Sequence, residues 1–261
     1  NTKGKTIIKA KKSRDHTENF LMNNPHVIKI KKTAKKVITI QGKKYLKSFI
    51  VDIGGDPSSA AFFVALTLLN PNSKIKIKNV GLNPTRIGFY KILKKHNAKI
   101  KFMNLKKKNN EVNGDIFVQS SNIKPIKASA YMYPSTTDEY LLLFCIAGLT
   151  KGTSSFKGIS DLANKESSRA HEMKKILSQL GVKSRLTKNE MKIYGKGMVD
   201  GNKKKISIGN LGDHRVAMCA FILAVLTKSK TNIKNFETVF TSSPSFLKIM
   251  KSLGAKFEIK K

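Results

Sequence analysis

The chain has 261 residues, 40% of them apolar, which is enough to fill one large core or two small ones and too much for a disordered polymer. Lys+Arg number 51 against 16 Asp+Glu, a formal net charge of +35, so anions are the natural ligands. The lysines spread along almost the whole chain and many occupy polar positions of alternating strands, as in SKIKIKNV and KKISIG, which argues for solvated faces over a dedicated nucleic-acid arm.

From the N-terminus, TIIKA reads as a strand, SRDHTENFLMNN as a helix, and VIKIKK and KVITIQG as two further strands. They match the back half of a unit that then recurs. Its first full copy runs strand KSFIVDIG, apolar helix SSAAFFVALTLLN, strand KIKIKNV, amphipathic helix TRIGFYKILKKHN, and strands KIKFMN and DIFVQ. The second runs strand IKASAY, helix DEYLLLFCIAGL, strand TSSFKGI, helix ESSRAHEMKKILSQLG, and strands KSRLTK and EMKIYG. The third supplies strand KKISIG, helix HRVAMCAFILAVL, strand TNIKNF, helix SPSFLKIMKSLG and strand AKFEIK. The predicted class is therefore α/β, built from βαβαββ units of roughly 75 residues, longer than ordinary solenoid repeats.

In each copy the first helix is apolar almost all round, and the second places apolar residues three and four apart. The first is expected in the core and the second at the surface. Gly54, Gly55 and Asp56, then Gly209, Asn210, Gly212 and Asp213, mark the joints, and Asn70, Pro71 and Asn72 close a helix. A half unit lacks the buried helix against which its own surface helix would pack, so the pattern leads one to expect the natural protein to continue upstream of Asn1. An upstream segment is also the natural candidate for the strand position left open in the third unit.

Cys145 and Cys219 lie inside the apolar runs LLLFCIAGL and VAMCAFILAVL, where a small buried thiol is the default; no disulfide framework or metal-ligand spacing accompanies them. The opening NTKGKTIIKAKKSRD has no apolar region of signal-peptide length, and no apolar run is long enough to span a bilayer. A reducing, soluble, cytoplasmic setting is expected.

The residues suited to chemistry gather at the helix N-termini. Such ends carry unpaired N–H groups and a partial positive charge, so parallel units would aim several of them at one anion-binding cleft. There stand Asp56 with Ser58 and Ser59, Asp138 with Glu139, the run Lys165-Glu166-Ser167-Ser168-Arg169, and Asp213-His214-Arg215. Lys165 and Arg169 are four apart, so a helix begun at that run would carry both cations on one face of its first turn. Only an anion would reward that placement; the alternative is that Glu166 complements the helix dipole while the cations are solvated. Asp213 suits an N-cap, whereas Arg215 at the head of an apolar helix serves no packing purpose. His214 reads equally well as a structural histidine. Asp138 and Glu139 suffice as an N-cap pair, yet at the mouth of a cationic cleft a carboxylate is also fit to move protons.

Four of these stretches carry a resemblance. GGDPSSAAFF followed by KIKIKNVGLNPTRIGFYKILKK resembles the EPSP synthase signature, with its GD-S-SAA stretch and G-N-T-R segment. DLANKESSRAHEMKKIL is similar to the family's L-x-x-KES-x-R motif, GDHRVAM to its GDHR-x-AM motif, and KSRDHTENFL to its SRDHTE segment. The likeness runs over essentially the whole chain. It implies the enolpyruvyl transferase fold, an inside-out α/β barrel in which each of two domains holds three units about a pseudo-threefold axis and the active site lies between the domains. Residues 1–49 would be the tail of the domain on the shikimate-phosphate side, and 50–261 the second domain without its closing N-terminal strand.

The resemblance further implies a transferase of the shikimate pathway, which leads to chorismate and the aromatic amino acids. The enolpyruvyl (1-carboxyvinyl) group moves from phosphoenolpyruvate to the 5-hydroxyl of shikimate 3-phosphate. Phosphate leaves by addition and elimination through a tetrahedral intermediate, without metal or organic cofactor. A cytoplasmic monomer is expected when the protein is complete, with neither nucleic acid nor membrane as partner.

Carried over by motif, Asp138 resembles the carboxylate that contacts the shikimate hydroxyls and accepts a proton. Lys165 resembles the lysine beside the attacking hydroxyl, and Glu166 the carboxylate at the enolpyruvyl methylene carbon. Arg169 and Arg215 resemble the pair that grips phosphoenolpyruvate, where guanidinium forks suit carboxylate and phosphate. Arg14 resembles a residue reaching the shikimate phosphate from the opposite domain, and His214 is a further candidate. The family's N-terminal lysine, its other phosphate-binding arginine and its S-A-Q loop have no counterpart in these residues, which leaves the activity of the isolated chain open. Thr241, Ser242 and Ser243 stand ahead of Pro244 where some members carry a lysine. On residues alone three other readings stand beside this one. One is the related transferase acting on UDP-N-acetylglucosamine, which is not expected to carry KES-x-R and GDHR together; the others are a basic nucleic-acid-binding protein and a noncatalytic remnant.

Overall fold

The structure is a computed structural model that describes residues 3–10, 13–32, 36–202 and 204–259. Strand β1 (Lys5–Ala10), helix α1 (His16–Leu21), β2 (Ile28–Lys32) and β3 (Lys36–Gln41) come first, and the strands form an antiparallel sheet in the order β1-β3-β2. Next follow α2 (Pro57–Leu69), β4 (Lys74–Gly81), α3 (Gly88–Lys95), β5 (Lys99–Lys108) and β6 (Glu111–Gln119), with strand order β4-β6-β5. A second unit contains β7 (Lys127–Ala128), α4 (Tyr140–Gly148), β8 (Gly152–Lys157), α5 (Arg169–Gln179), β9 (Lys183–Leu186) and β10 (Glu190–Gly195), in the order β7-β8-β10-β9. The third has β11 (Lys205–Ile208), α6 (His214–Thr227), β12 (Lys230–Ile233), α7 (Thr238–Ser242) and α8 (Phe246–Ser252).

The repeat seen in the sequence is a repeat of topology. In each of the first three sheets the last strand of the unit inserts antiparallel between the two before it: β3 between β1 and β2, β6 between β4 and β5, β10 between β8 and β9. The strands that open a unit run parallel to the next, as β7 does to β8 and β11 to β12.

Helices α2, α4 and α6 are the ones whose sequences are apolar nearly all round, and a helix with no polar stripe has to be enclosed. They pack against one another at the centre of the three units, and every residue of α4 is buried. Each Leu or Phe enclosed there contributes about 1.5 to 3 kcal/mol by leaving water. Phe246 of α8 closes the bottom of this core edge-on against Phe62 and Phe221, with ring centroids 6.1 and 5.5 Å away. Cys145 and Cys219 are free and buried on adjoining helices, as small apolar side chains. On β4 the lysines at 74, 76 and 78 are exposed while Ile75 and Ile77 turn inward, so this part of the positive charge lies on a solvated sheet face.

Four sequence expectations are corrected. KSFIVDIG is not a strand: only Gly55 makes a bridge, parallel to Val80, and Ile50 and Ile53 are 84% and 77% exposed. Alternation gives a segment strand character, but a ladder needs a neighbour, and among the described residues only Val80 supplies one. AKFEIK likewise forms no strand over 255–259. IKASAY pairs only at Lys127 and Ala128 before the chain tightens into a 3-10 helix over Ala130–Ser135. The helix expected from Glu166 begins instead at Arg169, and Lys165 is extended at φ −97°, ψ −163°. The Ser167 hydroxyl and the Arg169 guanidinium both reach Asp213, and these tertiary bonds hold the KES stretch outside the helix. Lys165 and Arg169 therefore do not share a helical face.

Candidate active site

Each helix head that the sequence singled out is tied to the next by a polar side chain. Asp56 caps α2 by accepting from the Ser59 amide at 2.9 Å, and Ser58 in the first turn donates its hydroxyl to Glu139 at the head of α4. Asp138, one residue earlier, faces Arg215 in the first turn of α6, with Nη2 3.6 Å from its carboxylate and Nη1 3.5 Å from its carbonyl oxygen. Asp213 caps α6 through the Arg215 amide at 3.0 Å, and its other oxygen receives Arg169 Nε from the head of α5 at 2.9 Å. Four helix N-termini thus converge through one continuous network, which concentrates partial positive charge beside Arg169 and Arg215.

Asp138 is the centre of the arrangement. Arg14 arrives from the segment before α1, 124 residues away in sequence, and pairs with the same carboxylate that faces Arg215. Burial alone would raise the Asp138 carboxyl; Arg215 and Arg14 outweigh it and hold the group below the ordinary carboxylate value, so it is ionised at neutral pH. Beside it lies a cavity of about 510 Å3 lined by Arg14, Tyr133, Thr137, Asp138, Asp161 and Lys165. Lys165 is steadied by Asp161, with Nζ 2.7 Å from Oδ2, and Tyr133 donates to that same oxygen at 3.0 Å. The hydrogen bonds from Lys165 and Tyr133 depress the Asp161 carboxyl.

Arg169 is nearly enclosed, with Glu166 Oε2 2.5 Å from its Nη2 and Asp213 on Nε. Burial pushes Asp213 up, but its bonds from Arg169, Ser167 and the Val216 amide bring it below the usual range. Glu166 itself is half exposed beyond Arg169. His214 is the first residue of α6; burial, reinforced by Arg215, lowers its basicity, which favours the neutral imidazole. Thr241, in α7, returns its hydroxyl to the Thr238 carbonyl at 2.8 Å.

The structure therefore brings together Arg14, Asp138 and Lys165 around one opening, with Arg215 behind Asp138 and Arg169 and Glu166 on the α5 side. Sequence reasoning missed Arg86. This residue donates from Nη2 to Asp56 Oδ1 at 2.9 Å and to Ser58 Oγ at 2.7 Å, joining the turn before α3 to the head of α2. Its signal lies in the NPTR stretch, to which the family resemblance attaches no role. A second cluster carries no sequence signal of its own: Asp15 and His16 of the SRDHTE segment, with Asn19 just after it, meet Asn83, Thr85 and Glu111, with Asn83 Nδ2 2.8 Å from Asp15 Oδ1 and His16 Nδ1 2.9 Å from Glu111 Oε1. It fastens the first sheet's helix to the rest and so fixes Arg14. Among the described residues no group of three or more His, Cys, Asp or Glu could hold a metal ion, and no helix is long and apolar enough to cross a membrane.

Comparison with known proteins follows the same lines. The profile of the family described as EPSP synthase (3-phosphoshikimate 1-carboxyvinyltransferase) matches residues 1–250. A 3-phosphoshikimate 1-carboxyvinyltransferase of Zymomonas mobilis is 35% identical over 263 aligned residues, covering 99% of this chain and 58% of the relative. One from Petrotoga mobilis is 36% identical over 253 residues, covering 96% of this chain and 57% of the relative. Among solved structures, an EPSP synthase from Acinetobacter baumannii superposes with a TM-score of 0.88 at 29% identity, over 99% of this chain and 59% of the other. The enolpyruvyl transferase NikO from Streptomyces tendae, at TM-score 0.70 and 13% identity, shares the fold over 98% of this chain and 57% of its own. The chain thus spans about 58% of the length of the first of these relatives. With its interlocked KES-x-R and GDHR motifs, its βαβαββ units and these likenesses together, this chain belongs to the EPSP synthase family.

Proposed function

We propose that the natural protein transfers the enolpyruvyl group of phosphoenolpyruvate to the 5-hydroxyl of shikimate 3-phosphate, and that residues 50–261 form one wall of the cleft while 1–49 belong to the other domain. The observation that carries this reading is Asp138 held as an anion between Arg14 and Arg215, from two separate parts of the chain, at the mouth of a cavity that Lys165 also lines. A small cyclic alcohol carrying phosphate and carboxylate and a small phosphorylated carboxylate are the reactants such a site suits: guanidiniums for phosphate and carboxylate, a carboxylate for hydroxyls.

In this reading the substrate hydroxyls replace part of the arginine cover on Asp138, and the freed guanidiniums take the phosphates. Lys165 stands beside the attacking hydroxyl and shuttles its proton. The hydroxyl oxygen bonds to the central carbon of phosphoenolpyruvate while the methylene carbon takes a proton. In the second half that carbon gives the proton back and the bond to phosphate breaks, so nothing is oxidised and phosphate leaves. Glu166 is assigned to the methylene proton, Arg169 and Arg215 to phosphoenolpyruvate, Arg14 to the shikimate phosphate, and His214 to the edge of the site. The charges are in place before the reactants arrive, so little reorganisation is left to the chemical step. The reading implies a cytoplasmic enzyme without metal or organic cofactor, monomeric, with small molecules as its partners.

The test is phosphate release by the natural protein with phosphoenolpyruvate and either shikimate 3-phosphate or UDP-N-acetylglucosamine. Turnover with the first alcohol alone is expected, and Lys165→Ala and Arg215→Ala should each lower kcat/KM by orders of magnitude while circular dichroism stays unchanged. Turnover with the nucleotide sugar instead, or unaltered rates in both variants, overturns the assignment.

A further inference from the structure

We propose that Glu139 is a positioning residue of this site: through the Ser58 hydroxyl, its carboxyl group decides whether the Arg86 guanidinium is locked to the head of α2 or released toward Asp138 and the anionic reactants. Glu139 is 2% exposed and makes no contact with the cavity beside Asp138, yet it stands next to Asp138 in the chain. A buried carboxyl has to be answered by a donor or keep its proton. The donor here is Ser58, itself buried, whose hydroxyl points at Glu139 and so turns its lone pairs to Arg86 Nη2 at 2.7 Å. The same guanidinium nitrogen is shared with Asp56 Oδ1 at 2.9 Å.

The direction of that chain depends on Glu139 being an anion. As a carboxylate it accepts from Ser58, Ser58 accepts from Arg86, and all three are aligned. Once Glu139 carries a proton the Ser58 hydroxyl loses the charged acceptor that fixes its direction, and a donor from Glu139 can take one of the two acceptor positions on Oγ, so the alignment that holds Arg86 is loosened. Arg86 then depends more on Asp56 and gains freedom to face the pocket, where its charge already acts on Asp138. The groups facing Glu139 are Ser58 of α2, Arg86 from the turn before α3, Tyr90 of α3, Asp138 beside it, and Arg215 from α6, while Asp56 acts on Arg86 and Tyr90. Burial raises the Glu139 carboxyl to about 7, against the Ser58 bond and with help from the Asp138 charge. The change therefore falls in the range where the protein would work.

The kinetic form of this proposal rests on the enolpyruvyl-transfer reading; its structural form does not, and the experiment separates them. In the natural protein, the side-chain Nε–H resonance of Arg86 is followed by NMR from pH 5 to 9, in the wild type, in Glu139→Gln and in Ser58→Ala. A shift with a midpoint near pH about 7 is expected in the wild type and no such shift in either variant. In parallel, the KM for phosphoenolpyruvate should rise roughly tenfold across that midpoint in the wild type and lose this component in Glu139→Gln. The variant is needed because phosphate monoesters themselves titrate near ~6. An Arg86 signal that ignores pH in the wild type, or that still titrates in Glu139→Gln, overturns the proposal. An Arg86 signal that behaves as expected in a protein that does not turn over shikimate 3-phosphate sinks the functional reading alone.

Discussion

Arg169 and Asp213 meet in the interior, Nε 2.9 Å from Oδ2, although 44 residues separate them, and Arg169 is 1% exposed. Each belongs to a different motif, so KES-x-R and GDHR are two sides of one buried ion pair that sets the head of α5 against the head of α6. Removing Arg169 leaves the enclosed Asp213 carboxylate with only the Ser167 hydroxyl and backbone amides as donors and no cation beside it, and removing Asp213 leaves the enclosed guanidinium with Glu166 alone. Arg169→Ala is expected to destabilise the fold by about 3 to 5 kcal/mol, and Arg169→Ala with Asp213→Ala by less than the two single changes combined. Urea denaturation of the four proteins measures the coupling; strict additivity would mean that the pair carries no interaction.

The carboxyls of this site pull stability in opposite directions with pH. Asp213 and Asp138 sit below their ordinary 3.8, so the stability they confer is fully present above that value and is lost as pH falls toward their folded pKa values. Glu139 is the reverse. Its folded value is raised from 4.5 to about 7, so the folded state holds a proton that the unfolded chain has released, and stability declines as pH rises through that window. The loss above pH about 7 amounts to about 3 kcal/mol. Glu139→Gln should therefore flatten the decline between pH 4.5 and 7, measured by chemical denaturation at several pH values. An equally steep decline in the variant would show that another group is responsible.

What the sequence disclosed and what it withheld divide along a physical line. Repeats, buried helices and surface helices were visible because α2, α4 and α6 are apolar all round, while α3 and α5 carry polar faces. Asp213 was legible as a cap because capping is a local event, and Asp56, which caps α2 in the same way, was legible only as a residue of the joint. The start of α5 was not, because Ser167 and Arg169 are captured by Asp213 from another unit, and no periodicity reports such a bond. Strand character in KSFIVDIG was read from alternation that its surroundings do not use. Arg86 went unassigned, and Glu139, read as half of an N-cap pair, makes no capping bond with its side chain, for a similar reason: their partner is the shared hydroxyl of Ser58, 28 and 81 residues away.

Gly88 tests how tightly Asp138 is located. A Cβ at this position would sit 2.0 Å from Thr136 Oγ1 and 2.3 Å from Ser135 Oγ, on the turn that leads into Asp138 and Glu139. Alanine there must push α3 away or displace that turn. Gly88→Ala is expected to destabilise by about 1 to 3 kcal/mol and to lower kcat/KM without altering a charged group. Thermal melting together with steady-state kinetics checks it; a fully active, equally stable variant would mean that the turn has room to yield.

Arg14 offers the converse case, a residue whose loss should be felt in binding and hardly in folding. Its side chain is 41% exposed and its partner Asp138 17%, so water screens the pair and leaves it worth about 1 kcal/mol or less to the fold. A phosphate group accepting from the same guanidinium gains a charge-assisted bond whose loss weakens affinity by roughly tenfold or more. Arg14→Ala in the natural protein should therefore raise the KM for shikimate 3-phosphate by about that factor, leave the KM for phosphoenolpyruvate nearly unchanged, and shift the denaturation midpoint little. Added salt should narrow the difference between wild type and variant, since the exposed charge is screened within about 10 Å at 0.1 M ionic strength. An equal rise in both KM values would place Arg14 on the wrong reactant. A large loss of stability would make it a structural tie between α1 and Asp138.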